Sequence, residues 1–254
     1  MVTRDMLGNL AAQGGNPGCT IRTVATSTIS TGERKGASSI LLKSVMAITG
    51  LIFVGFILAH MYGNLMIFAG EAAFDEYAHH IRELGTPMLP EQGALWLIRI
   101  VLLLSLVGHA YAAFTLWSRA GNARKSRYAV SGVARSLFIS KAMRWGGVAL
   151  LLFLVFHILH FTTNTIQVNG DFESPAARLV SSFEVWWAVG IYTLAVIALG
   201  LHLLHGVWSA GMTLGLNTSI AAAERLRIAS VLVAAVVVVG FLLPPFAILF
   251  GLIP

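Results

Sequence analysis

Charge is what this sequence has least of. Asp, Glu, Lys and Arg make up only 11% of its 254 residues, against about 25% in soluble domains. With 57% hydrophobic residues, that excludes an ordinary water-soluble globular chain. Cysteine is nearly missing: Cys19 stands alone. A disulfide framework within the chain is therefore excluded, as are a CxxCH haem attachment and a cysteine-ligated iron–sulfur cluster. Cys19 itself reads as an incidental reduced thiol.

What is there is long apolar runs. Five lie near 44–68, 94–117, 143–166, 185–209 and 228–252, each longer than the roughly 20 residues that cross a bilayer as a helix. They are continuous rather than alternating, which excludes a membrane β-barrel. The expected fold is an all-α integral membrane protein with five transmembrane helices, the first four forming a bundle. That domain covers 41–254. It follows a flexible tail, 1–40, rich in Gly, Ser and Thr, with no apolar core of the signal-peptide kind and a short helical lead-in near Ser38.

The few charges are sorted by side. With the N-terminus inside, the inner segments hold fourteen of the seventeen Lys and Arg residues, and eight of the eleven acids lie outside. Basic residues set orientation, so a cytoplasmic N-terminus and an outer C-terminus are expected. The net charge of +6 is then a topology signal, and nucleic acid is excluded as the partner. The basic loop 118–141 suits lipid headgroups or a cytoplasmic partner. On the outer side, "EAAFDEYAHHIREL" (71–84) puts Phe74, Tyr77, Ala78, Ile81 and Leu84 on one face of an amphipathic helix. Gly85 and Pro87 end it.

Six of the eight histidines fall inside the apolar runs, where an imidazole is costly unless something holds it. Depth follows from a rise of about 1.5 Å per residue. His60 lies about 24 Å and His157 about 18 Å from the inner edge, while His109 lies about 15 Å and His202 about 9–16 Å from it. Alternating helix direction thus gives two pairs at two depths. A pair of imidazoles in a helical bundle suits a six-coordinate haem iron, and without CxxCH the haems would be two non-covalent b haems. Zinc is disfavoured, since a closed zinc site takes four ligands and commonly cysteine. A proton-coupled transporter would bury acids near its histidines, and none lies in the five runs. His160 and His205 each follow a candidate ligand by three residues. His157 and His202 are favoured as the ligands, the choice staying open at this point. Gly50 and Gly147 each precede a histidine by ten residues, close to three turns, where a flat ligand could approach the backbone.

The motifs "TGLIFVGFILAHM", "GHAYAAF", "GGVALLLFLVFH" and "HLLHGVWS", in this order and spacing, resemble the five-helix, di-haem cytochrome b subunit of complex II: succinate:menaquinone oxidoreductases and quinol:fumarate reductases. The resemblance covers roughly 40–254. It implies that His60 and His157 hold the outer haem, and His109 and His202 the inner one. The family's glycine-to-histidine spacing selects His157 over His160, and its fourth-helix motif selects His202 over His205. It further implies a flavoprotein with FAD and an iron–sulfur protein docked on the cytoplasmic face, and a quinone, of the menaquinone type, as the substrate reduced in this subunit. The setting implied is a bacterial-type cytoplasmic membrane, with a higher oligomer of the complex left open.

Asp75 and Glu76 would then be candidates for protonating quinone. Lys43, Arg99, Lys141 and Arg144, with His160 and His205, would be candidates for haem or propionate contacts. Some fumarate-reducing relatives carry a glutamate two residues before the fourth-helix ligand. This chain has Gly200 there, which favours succinate oxidation. The alternatives are a di-haem anchor of another quinone-linked dehydrogenase or hydrogenase, and a histidine-using membrane transporter.

Overall fold

A computed structural model describes residues 36–122 and 131–253, with side chains for all of these except 131–140. Residues 1–35 of the expected tail, Cys19 among them, residues 123–130 of the basic stretch and Pro254 lie outside the described residues.

The described chain is helical, and the five apolar runs are five helices long and apolar enough to cross a membrane. They are α1 (Ser39–Leu65), α3 (Gly93–Asn122), α4 (Ser131–His157), α6 (Trp186–Thr213) and α7 (Ile220–Leu249). Two short helices, α2 (Glu71–Glu83) and α5 (Pro175–Phe183), follow α1 and α4. The candidate spans run slightly past two helix ends, as Ser39–Ala69 and Lys141–Thr162.

Helix starts differ from the apolar edges because capping, not hydropathy, fixes them. The Ser38 side chain accepts the Leu41 N–H and Ser219 accepts that of Ala222, so α1 and α7 begin several residues before their apolar runs. The basic stretch 118–141 is not one long loop. Helix α3 runs on to Asn122 and α4 begins at Ser131, since charged residues without proline do not stop a helix.

Helices α1 and α6 are central. α1 packs on α3, α6 and α7, and α6 packs on α1, α4 and α7. The seam between α6 and α7 is made close by glycine. A Cβ on Gly200 would strike Val238, and one on Gly211 would strike Leu226. Likewise Gly240 of α7 leaves room for Met61 of α1. Small residues at helix crossings let backbones approach within van der Waals range, the main attraction available between helices in lipid. Leu203, Ala234 and Val237 are buried along this seam, with Val54, Ile57, Leu58 and Phe241 against them.

The two ends of the bundle differ. One is basic: Lys43, Lys141, Arg144, Arg225 and Arg227 lie near it, and Arg119 donates to the Ser39 hydroxyl and the Ala37 carbonyl, tying α3 to the start of α1. The other is capped by α2 and α5, which pack on each other. Helix α2 follows its expected face except at Leu84, which lies past the helix and is exposed. Gly63 leaves space for the Tyr77 ring. Burial, and then the neighbouring Tyr62, pushes the Tyr77 phenol above its ordinary pKa. Under the cap, Ile67, Ala176, Leu179, Phe183, Val189, Tyr192 and Ile248 form one buried cluster.

Candidate functional site: two histidine pairs

Four helices each bring one histidine inward. His60 of α1 and His157 of α4 meet near the capped end, ring centres 5.8 Å apart and planes at 81°. His109 of α3 and His202 of α6 meet nearer the basic end, centres 6.3 Å apart and planes at 53°. Two imidazoles on opposite sides of one metal ion, each bonded at about 2.0–2.1 Å, would have ring centres about 6 Å apart, the spacing of both pairs. Among the described residues no three His, Cys, Asp or Glu side chains gather as a ligand set. Each level thus offers two facing imidazole donors, a donor set that would fit a group supplying its remaining ligands itself, as a porphyrin does.

The surroundings are aromatic and apolar. His60 stacks on Phe56 at 5.4 Å and lies 5.8 Å from Phe241. His157 stacks on Phe153 at 5.8 Å. At the other level the flank is glycine. A Cβ on Gly50 would lie 3.4 Å from Cε1 of His109, and one on Gly147 would lie 3.6 Å from Cε1 of His202. Both glycines thus border the His109–His202 pair, one level below the histidines they precede. Ten residues carry the backbone about 15 Å, so each glycine serves the level below its own helix's histidine.

Hydroxyl groups on other helices hold the ligand candidates. Thr49 Oγ1 lies 2.7 Å from the Val45 carbonyl, to which it donates. Its remaining capacity meets Nδ1 of His109 at 3.1 Å. His157 Nδ1 lies 3.3 Å from the Tyr192 hydroxyl. His202 differs, its Nδ1 being buried without a hydrogen-bond partner.

His160 does not face a vacant ligand position. It is 1% exposed, with Nδ1 2.9 Å from the Tyr192 hydroxyl and Nε2 2.9 Å from Ser182 Oγ. Both ring nitrogens are therefore occupied by protein. It lies in a π-helical turn, Ile158–Thr162, that ends the third span. Arg178 donates to the Phe161 and Phe172 carbonyls, bracing this turn against α5. His205 is half-buried, 6.1 Å from Trp208.

The charged candidates are spread over both ends. Arg99 covers Trp96 at 4.9 Å and Arg144 covers Trp117 at 5.6 Å, while Lys43 and Lys141 are exposed. The Asp75 carboxylate accepts from the Ser174 hydroxyl at 2.6 Å and the Ala176 N–H at 2.9 Å. It thus sits at the N-terminus of α5, where a negative charge is favoured. Glu76 is exposed, with His79 and His80 beside it on the outer face.

Sequence reasoning missed α5 and the hydroxyl partners Thr49, Ser182 and Tyr192. For α5 a signal exists: Ser174 caps, Pro175 takes the first helical position, and Ala176, Leu179 and Phe183 share a face. Comparison with protein-family models, curated proteins and solved structures found no match.

Proposed function

We propose that this chain is the membrane-anchor cytochrome b subunit of a succinate:quinone oxidoreductase. The observation that carries the reading is the pair of histidine pairs: four helices, two depths, two facing imidazoles at each with ring centres 5.8 and 6.3 Å apart. The resemblance of the four histidine-bearing motifs to the complex II anchor supports the particular assignment.

His60 with His157, and His109 with His202, would hold two b haems, which supply one-electron carriage between the partner subunits and quinone when bound. Gly50 and Gly147 leave the flank of one pair open to a flat macrocycle. Phe56, Phe153 and Phe241 keep water from the other. The cluster under α2 and α5 closes that level from the outer aqueous side. Basic groups at the other end, Lys43, Lys141 and Arg144, suit propionates and the docking of an iron–sulfur and a flavoprotein subunit carrying FAD. Arg99, near the capped end, suits a propionate there. The sorting of basic residues supports a cytoplasmic N-terminus in a bacterial-type cytoplasmic membrane. Quinone, of the menaquinone type, would react in this subunit. No dicarboxylate chemistry is assigned to it.

The test is a reduced-minus-oxidised spectrum of the purified chain, with a pyridine haemochrome assay. Two b haems per chain, reduced by succinate in the native complex, are expected. Two haems that succinate leaves oxidised would move the assignment to another quinone-linked dehydrogenase or hydrogenase. No haem in native membranes would overturn the reading in favour of a transporter.

A further inference from the structure

One buried hydrogen-bond chain begins at a ligand candidate and runs away from the bundle axis. Its members are His157, Tyr192, His160, Ser182 and the Arg178 carbonyl, linked at 3.3, 2.9, 2.9 and 2.6 Å. The far end fixes the direction of every proton. A carbonyl oxygen only accepts, so the Ser182 hydroxyl donates to Arg178. Ser182 Oγ must then accept from His160, which places the His160 proton on Nε2. Its Nδ1 is left as an acceptor and takes the Tyr192 O–H. The phenol oxygen, its hydrogen spent, is free to accept, and the group facing it is Nδ1 of His157.

We infer that this chain holds His157 in the Nδ1–H tautomer, leaving Nε2 as the bare nitrogen. Tyr192, His160 and Ser182 are positioning residues for a metal ligand. The inference rests on the proposed reading of His157 as a haem ligand, and extends it to residues that are not themselves proposed as ligands. A ligating imidazole usually donates its second N–H to an oxygen acceptor, which fixes the tautomer and raises ligand basicity. The chain is also a dead end for protons. Ser182 is 2% exposed, and the chain stops at a carbonyl, so it suits orientation and not transport.

His109 reaches the same state by a shorter route. Thr49 donates to Val45 and accepts from His109 Nδ1–H, again leaving Nε2 bare. Each pair thus has a member, His157 or His109, whose Nδ1 is hydrogen-bonded. In the other, His202 Nδ1 is without a partner.

Two measurements on the full-length chain test this. In the haem-free chain in detergent, ¹⁵N shifts of the His157 ring report its tautomer. The Nδ1–H form is expected, with its excess lost in Tyr192→Phe, which keeps the ring, and reduced in Ser182→Ala. In the haem-loaded chain, Tyr192→Phe should raise the midpoint potential of one haem and leave the other unchanged. A less basic ligand stabilises ferric iron less. The expected size is about a tenfold change in the ferric-to-ferrous ratio, roughly 59 mV for one electron. An Nε2–H tautomer in the unsubstituted chain overturns the inference. So do a tautomer ratio and potentials that Tyr192→Phe leaves unchanged. Failure to bind haem would sink the functional reading alone, because the tautomer is measured without haem.

Discussion

Gly50 lies against the ring of His109, although it precedes His60 in its own helix. A Cβ there would lie 3.4 Å from His109 Cε1, already ordinary contact, and a longer side chain would occupy the ring's flank. On the proposed two-haem reading, Gly50→Leu is therefore expected to remove the haem assigned to the His109–His202 pair and keep the other. Haem per chain by pyridine haemochrome should fall from two toward one. Loss of both haems, or of neither, would contradict the assignment of this glycine to that level.

Gly200 explains itself by its neighbour. It is buried, and a side chain there would collide with Val238 across the α6–α7 seam. The position where some members of the family this chain resembles carry a glutamate has no room for one here. Gly200→Ala should destabilise the helix pair by about 1–3 kcal/mol, as overpacking generally does, and Gly200→Glu by more. Adding Val238→Ala should restore most of the loss in the alanine variant. Thermal melting in detergent measures both, and a Gly200→Ala variant as stable as the parent would contradict the close seam.

How much of this was legible in the sequence depends on what each feature rests on. The five spans rest on length and the absence of charge, and they stand. The ends of α1 and α7 rest on Ser38 and Ser219, single residues whose capping hydropathy does not weigh. The depth of each histidine follows from rise per residue and alternating direction. The partners Thr49, Ser182 and Tyr192 do not, because their contacts depend on how each helix is rotated about its axis. Helical moments carry that rotation poorly here, since nearly every residue of these helices is apolar.

Asp75 is a helix cap by geometry and a proton donor only by resemblance, and the two roles separate experimentally. Removing its two accepted hydrogen bonds in Asp75→Ala should cost about 1.5–3 kcal/mol, the usual range for bonds to a charged acceptor. Ser174→Ala removes one of those bonds and the α5 cap while keeping the carboxylate. If both variants lower the melting temperature and quinone reduction survives in each, Asp75 is structural. A loss of quinone reduction confined to Asp75→Ala, and deepened by a second Glu76→Ala change, would make it a proton donor.

The two pairs should also differ in their magnetic signature. Perpendicular axial imidazoles leave the two iron dπ orbitals nearly equal in energy, and less crossed rings split them. With planes at 81° for His60–His157 and 53° for His109–His202, a ferric haem held by the first pair, as proposed, is expected to give the more anisotropic low-spin signal. Low-temperature EPR during a redox titration assigns each signal to one haem. In His60→Ala the more anisotropic signal should be the one lost.

Ten residues separate Gly50 from His60, Gly147 from His157 and Tyr192 from His202. In each case one residue borders the His109–His202 level and the other belongs to the His60–His157 level. Three helices therefore carry the same graduation, about 15 Å long, and the two levels are indexed to one another like rungs cut to a common gauge. Inserting one residue inside any of these intervals would shift the far rung by about 1.5 Å and turn it by about 100°. The register between levels is thus written three times over, in spacing rather than in any single side chain.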